Sequence, residues 1–207
     1  MRPSRPHAPP RRLIIATGNP GKLREFQALL AGLPFDPVSQ ASVGVRAPEE
    51  TGTTFLSNAL LKARHAAATT GEPAIADDSG LEVDALDGAP GIYSARYAGP
   101  AAEDAANNAK LLRALAGIAP ARRRARYRCV LVYVDGPHDT SPLCADGAWE
   151  GHIVDEPRGA GGFGYDPHFW LPDLEMTAAE LDPDEKNRLS HRGRAMRDLR
   201  ARLEART

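Results

Sequence analysis

Apolar residues in this chain occur as short continuous runs and as helically spaced sets, and the two alternate. Leu13-Ile14-Ile15-Ala16 is a β-branched run that reads as a buried strand. It passes through Thr17-Gly18-Asn19-Pro20-Gly21-Lys22 into Leu23, Phe26, Ala28, Leu29 and Leu30, whose spacing fits a helix. A short polar–apolar strand is expected around Val38 to Val45. Leu56, Ala59, Leu60, Ala63, Ala66 and Ala67 form the stripe of a second helix, with Thr53 or Thr54 as N-cap and an end before Gly71 and Pro73. Ala74-Ile75-Ala76 then stops at Asp77-Asp78-Ser79-Gly80, the pattern of a buried strand delivering polar groups to a turn. Leu81 to Leu86 alternates and reads as extended.

The second half continues the pattern. A helix is expected over Glu103 to Leu115 with Ala106, Ala109, Leu112 and Leu115 inward. Arg126 to Asp135 reads as a central strand, and Leu143 to Val154 as its hairpin partner with Trp149 in the core. His168 to Leu171 is a further strand. Asp182 as N-cap and Pro183 at the first helical position start one helix. A last amphipathic helix begins near Ser190, with Met196, Leu199 and Leu203 inward.

Composition narrows the class. The chain has 207 residues, enough for one domain or two closely fused lobes. No apolar run approaches the length of a membrane span, so a soluble protein without a membrane partner is expected. Lys and Arg number 26 against 27 Asp and Glu, a net charge of −1 that removes any global electrostatic argument for nucleic acid. The one basic run, Arg122 to Arg128, reads as a solvated face or edge-strand protection rather than a phosphate site. Cys129 and Cys144 match no metal-ligand spacing and read as reduced thiols in a cytoplasmic protein. Met1 to Arg12 lacks the apolar centre of a signal peptide and reads as a disordered Arg/Pro-rich tail ahead of one domain over 13–207.

Candidate chemistry gathers in four places. The turn Thr17 to Lys22 precedes a helix start, where unpaired N–H groups and the dipole suit a phosphate, although an ordinary strand–helix turn explains the glycines as well. Asp77 and Asp78, as strand neighbours, point to opposite faces; one is free for a metal or substrate while the other braces the turn. A carboxylate from Glu49-Glu50 together with Asp78 would suit one Mg²⁺, with water and phosphate oxygens completing its shell. Gly159 to Pro167 brings glycines beside Phe163 and Tyr165, flat faces on which a base can stack, and a bend into the next strand explains that segment equally. Lys186, His191 and Arg192 form a donor-only cluster, which favours the O6 acceptor of a 6-oxopurine over the amino group of adenine.

Taken together, Thr17-Gly18-Asn19-Pro20-Gly21-Lys22, Ala76-Asp77-Asp78-Ser79-Gly80-Leu81, Gly162-Phe163-Gly164-Tyr165-Asp166 and Ser190-His191-Arg192-Gly193 resemble the inosine/xanthosine triphosphate pyrophosphatase family, in their order and spacing, from about Leu13 onward. Glu49-Glu50-Thr51-Gly52 and Gly91 to Tyr97 fit as well. The resemblance implies a mixed α/β fold: an elongated central sheet flanked by helices, in two lobes with the nucleotide cleft between them. It implies a homodimer that cleaves inosine, deoxyinosine and xanthosine triphosphates to the monophosphate and pyrophosphate with Mg²⁺. Thr17, Gly18, Asn19, Pro20, Gly21 and Lys22 would cradle the triphosphate, with help from Lys62. Asp78 would be proton acceptor and metal ligand, Glu49 (less so Glu50) the second ligand, and Ser79 a substrate contact. Phe163 would stack on the base, Gly164, Tyr165 and Asp166 would shape its pocket, and Lys186, His191 and Arg192 would read its 6-oxo edge. The competing expectations are a Maf-type pyrophosphatase acting on other modified nucleotides and a nucleic-acid-binding module.

Overall fold

A computed structural model describes residues 9–206. The first eight residues of the expected tail lie outside that range. The strand β1 already begins at Arg11, so Arg11 and Arg12 belong to the sheet rather than to a tail: Arg11 pairs with Phe35 and salt-bridges Asp135 at 2.9 Å.

In chain order the elements are β1 (Arg11–Ile15), α1 (Pro20–Leu30), β2 (Phe35–Ser39), α2 (Phe55–Thr70), β3 (Ala74–Val83), α3 (Asp104–Ala114), β4 (Arg124–Val134), β5 (Leu143–Ile153), β6 (Phe169–Leu171), β7 (Met176–Thr177), α4 (Pro183–Leu189) and α5 (His191–Arg206). They build a seven-stranded sheet in the order β2-β1-β3-β4-β5-β6-β7. The β1 pairings with β2 and β3 are parallel, and every pairing from β3 to β7 is antiparallel. The mixed α/β class expected from the sequence is the one observed.

Each face of the sheet has its own core. On one side, Leu13, Ile15, Ile75, Cys129 and Leu131 pack against Phe26 of α1 and Met196, Leu199 and Leu203 of α5. On the other, Ile14, Ala74, Ala76 and Val132 pack against Phe55, Ala59, Ala63 and Ala67 of α2. The small residues let α2 lie close to the strands. A third core at the far end joins Leu81, Val83, Tyr127 and Trp149 to Leu111, Leu115, Tyr165 and Phe169.

Several expectations are corrected in detail. The expected strand at Val38 to Val45 lies earlier, at β2, because Gln40 to Val43 winds into a 3₁₀ turn capped by Ser39. Leu56 is exposed rather than inward, and Phe55 takes the buried place after the Thr54 cap. On α3 Ala106 and Ala109 face solvent, while Asn107 and Leu111 are buried; Asn107 earns burial by accepting from Ala98 N–H at 2.7 Å. On α1 Ala28 is exposed, Phe26 and Leu30 are buried, and the side chain of Leu29 lies outside the described residues. The basic run edges nothing: β4 is a central strand, where Arg126 reaches Asp84 at 2.7 Å and Arg128 reaches Asp146 at 3.2 Å. The two free thiols lie on opposite faces, since Cys144 pairs with Val132 and Cys129 alternates with it.

The most consequential correction concerns β3. It does not end at the carboxylates but runs straight through Asp77-Asp78-Ser79-Gly80 to Val83, held by antiparallel pairing with β4 along its whole length. Its other neighbour, β1, pairs only with Ala74 and Ile75 and then turns away. From Ala76 on, that side of β3 borders a cleft.

Candidate active site

The cleft has a volume of about 400 Å³. Its walls come from Thr17, Gly18, Asn19 and Lys22 at one end and from Phe163, Gly164, Tyr165, Asp166, Lys186, His191 and Arg192 at the other, with Asp77, Ser79, Glu50 and Lys62 between. Twelve of the expected site residues therefore share one cavity. Pro20, Gly21, Glu49 and Asp78 do not form its walls, and of these Asp78 stands just behind Lys62.

At the turn, Asn19 caps α1: its Oδ1 accepts from Gly21 N–H at 2.8 Å and Lys22 N–H at 3.2 Å. Those N–H groups, expected to be free for phosphate, are thus already bonded. Thr17 Oγ1 accepts from Asn19 N–H at 3.2 Å, which folds the turn inward. Lys22 extends across the open edge of β3, where Nζ donates to Asp77 Oδ2 at 2.6 Å and Ser79 Oγ at 3.3 Å.

Strand alternation separates the carboxylates as expected, and each meets a lysine. Burial alone would raise the Asp77 carboxyl; the charges of Lys22, Arg192 and Lys62 override it and hold Asp77 far below the usual carboxylate range. Asp78, on the α2 side, accepts from Asn58 Nδ2 at 3.1 Å and from Lys62 Nζ at 3.4 Å. Burial raises its pKa, Lys62 and Asn58 offset part of that, and the negative charges of Glu50 and Asp77 add to it. Lys62 also donates to Glu50 Oε1 at 2.9 Å, while Arg96 holds Glu50 Oε2 at 2.9 Å. Glu50 lines the cleft between Lys62 and Arg96, whereas Glu49 is exposed beside it. Behind the Thr54–Ser57 capping box of α2, Asn58 accepts from Gly52 N–H at 2.8 Å and donates to Asp78, which ties the loop after Glu50 to that carboxylate.

At the far end the glycine-rich loop closes on its own aspartate. Asp166 Oδ2 accepts from Phe163 N–H at 2.7 Å and from Lys186 Nζ. Gly162 has φ +75°, and a Cβ there would meet the Asp166 carboxylate, so both conformation and space require glycine. Gly193 lets α5 start against α4, because a Cβ would strike the Asn187 carbonyl; this brings Lys186 beside His191 and Arg192. Lys186 Nζ and the Arg192 guanidinium lie 4.8 and 5.7 Å from the Phe163 ring centre. Phe163 is 46% exposed and its side chain lines the cleft. Arg192 pairs with Glu25 of α1 at 2.7 Å, a contact that joins the turn's helix to the C-terminal cluster. Burial, then the charges of Arg192 and Lys186, push the His191 pKa well below its ordinary value, so the imidazole is neutral at pH 7. Two buried atoms here, His191 Nδ1 and Arg192 Nε, have no hydrogen-bond partner in the protein.

Sequence reasoning missed Glu25, Asn58, Arg96 and Tyr127. Glu25 sits three residues after Lys22 on one helix, a signal that was readable. The others depend on which side β3 leaves open and could not be found from spacing.

The arrangement is that of an α/β protein whose cleft carries lysines and carboxylates at one end and an exposed aromatic ring beside cationic donors at the other. The chain belongs to the Ham1 family, whose model matches residues 13–202. A protein of Thioalkalivibrio sulfidiphilus named dITP/XTP pyrophosphatase is 57% identical over 195 residues, covering 94% of this chain and 100% of the relative. One of the same name from Xanthomonas oryzae pv. oryzae is 58% identical, covering 93% and 97%. Among solved structures, a HAM1 protein from Coxiella burnetii superimposes with TM-score 0.90 at 48% identity, covering 94% of this chain and 99% of that one.

Proposed function

We propose that this protein hydrolyses inosine, deoxyinosine and xanthosine triphosphates to the monophosphate and pyrophosphate, clearing non-canonical purines from the nucleotide pool. The observation that carries the reading is the pairing, in one cleft, of a lysine-bearing turn with the cationic donors Lys186 and Arg192 beside a neutral His191, a cluster that includes two buried atoms lacking partners in the protein. Relatives named dITP/XTP pyrophosphatase over nearly the full chain support it.

In this reading Lys22 and Lys62 exchange their carboxylate partners for phosphate oxygens. Phe163 stacks on the base, and Lys186 and Arg192 donate to O6. Adenine would set its own N6 donor against those donors, which disfavours ATP. Asp78 orients the water that attacks the α-phosphorus and takes up its proton. Glu50 and Asp78 are hard oxygen donors of the kind that hold Mg²⁺ by one or two carboxylates plus phosphate oxygens. Among the described residues no group of three or more His, Cys, Asp or Glu could hold a metal ion. Bound Mg²⁺ would neutralise phosphate charge and polarise the scissile bond.

The same proposal includes a cytoplasmic homodimer, checked by sedimentation velocity and cell fractionation. Among the described residues no helix is long and apolar enough to cross a membrane. The deciding assay is hydrolysis of inosine triphosphate against ATP and GTP with Mg²⁺, scoring pyrophosphate and orthophosphate separately. Selective pyrophosphate release is expected; orthophosphate, or equal use of ATP, would overturn the assignment.

A further inference from the structure

Tyr127 reaches the base end of the cleft from β4, between Leu81 on β3 and Trp149 on β5. Its hydroxyl donates to Asp166 Oδ1 at 3.2 Å. The second oxygen of that carboxylate serves Phe163 N–H and Lys186 Nζ. The Tyr127 ring lies nearly parallel to the His191 imidazole, with centroids 4.8 Å apart and planes 12° apart. Phe169 backs it, with ring centroids 4.6 Å apart. One side chain thus touches two groups that reach the cleft on different segments, the glycine-rich loop and the start of α5.

We infer that Tyr127 is a positioning residue for base recognition, which sets the Asp166 carboxylate that holds Lys186 and Phe163 and, through its ring, the plane of His191. This rests on the nucleotide reading above. A carboxylate anchored through one oxygen can swivel about its Cβ–Cγ bond. The Tyr127 bond to Oδ1 removes that freedom and leaves Oδ2 aimed at Lys186. Burial, reinforced by the Asp166 charge, raises the Tyr127 pKa well above its ordinary value, so the hydroxyl remains a donor at any working pH. Flat contact with the ring holds the neutral imidazole while its Nδ1 has no partner. The phosphate turn is untouched by either contact, so the effect belongs to base affinity and base choice.

Two variants separate hydroxyl from ring. Tyr127→Phe keeps the ring and loses the Asp166 bond; Tyr127→Leu loses both. For inosine triphosphate the Phe variant is expected to raise KM about threefold or more with kcat within twofold of wild type, an effect on the scale of one hydrogen bond. The Leu variant is expected to raise KM at least about tenfold and to lower the inosine-over-ATP ratio of kcat/KM in step. The upfield ring-current shift of the His191 protons, followed by NMR, should survive in the Phe variant and vanish in the Leu variant. A Phe variant with KM and base preference unchanged would overturn the inference, as would an equal fall in kcat for both nucleotides at constant KM, the mark of a merely structural role. Should the Leu variant fail to fold, the Phe variant alone decides. Wild-type enzyme that shows no preference for inosine triphosphate in the same assay sinks the nucleotide reading itself, a result separate from any behaviour of the variants.

Discussion

Lys22 Nζ lies 2.6 Å from Asp77 Oδ2, so the one cation on the turn is held by a carboxylate buried in the central sheet. Asp77 also feels Arg192, which ties the charge balance of both ends of the cleft to a single side chain. Asp77→Asn should therefore destabilise the fold by about 3–5 kcal/mol, the cost of stranding a buried partner. The sign of the pH effect follows from the depressed pKa. The contribution of Asp77 is complete above the unfolded carboxyl value near 4 and is lost as pH falls from there toward the folded value. Urea melts at pH 7 and pH 3 check both: the deficit of the variant should shrink by about 1 kcal/mol in acid, with most of it still present at pH 3.

Asp78 sits in a different environment, where burial raises its pKa and Lys62 and Glu50 lie beside it. Asp78→Asn should lower kcat by more than about a hundredfold while the fold survives, because the amide oxygen at the Oδ1 position can still accept from Lys62 Nζ and Ser79 N–H and only the bond from Asn58 is lost. A residual rate within about tenfold of wild type, some 1.4 kcal/mol of barrier, would remove Asp78 from the chemistry.

Lys62 bridges the two carboxylates proposed as metal ligands, so in the nucleotide-free protein a side-chain ammonium already neutralises them. Lys62→Met should bind Mn²⁺ at least about tenfold more tightly without nucleotide, because a like charge within contact distance is gone. Electron paramagnetic resonance titration of the nucleotide-free protein reads this directly. Unchanged or weaker binding would place the metal elsewhere.

Lys186→Met tests recognition of the base. If the proposed contact with O6 holds, losing that donor should cost about 1–3 kcal/mol of discrimination, so kcat/KM for inosine triphosphate should fall about 10- to 100-fold while the ATP value changes little. A parallel fall for both nucleotides would show that Lys186 serves the phosphates or the fold instead.

His191 gives a second pH signature. Its folded pKa lies well below the unfolded value near 6.5, because burial and neighbouring cations reject the proton. Below that value the unfolded chain takes up a proton that the folded protein refuses. Stability should therefore fall with falling pH by up to about 1.4 kcal/mol per unit until the folded pKa is reached. His191→Asn loses the stacking on Tyr127 and so some stability at pH 7, but its curve between pH 7 and 5 should be flatter. An equal slope in both proteins would mean that another group is responsible.

Much of this was legible in the residues themselves. β-Branched runs located β1 and β4, the Asp182-Pro183 start of α4 appeared at the stated positions, and Met196, Leu199 and Leu203 gave the buried face of α5. The cleft residues were found because glycines, carboxylates and paired cations are rare company. What failed had tertiary causes. Asp77-Asp78-Ser79-Gly80 resembles a strand end, yet β4 supplies a partner for every residue through it. Glu49 and Glu50 are equal in sequence, and it is the tertiary pairing of Glu50 with Lys62 and Arg96 that turns it toward the cleft. The arginines of β4 resemble edge protection because their cross-strand carboxylates lie far away in sequence, as Asp84 and Asp146 do.

The cleft is walled by residues from Thr17 to Arg192, and the contact of Arg192 with Glu25 seals its first segment to its last helix. During synthesis, the phosphate turn leaves the ribosome long before the base-reading cluster exists. A nascent chain therefore has no complete site until α5 emerges, and a frameshift or stop codon anywhere before Arg192 yields a protein whose cleft lacks part of its walls. Selection on activity accordingly guards nearly the whole length of the message.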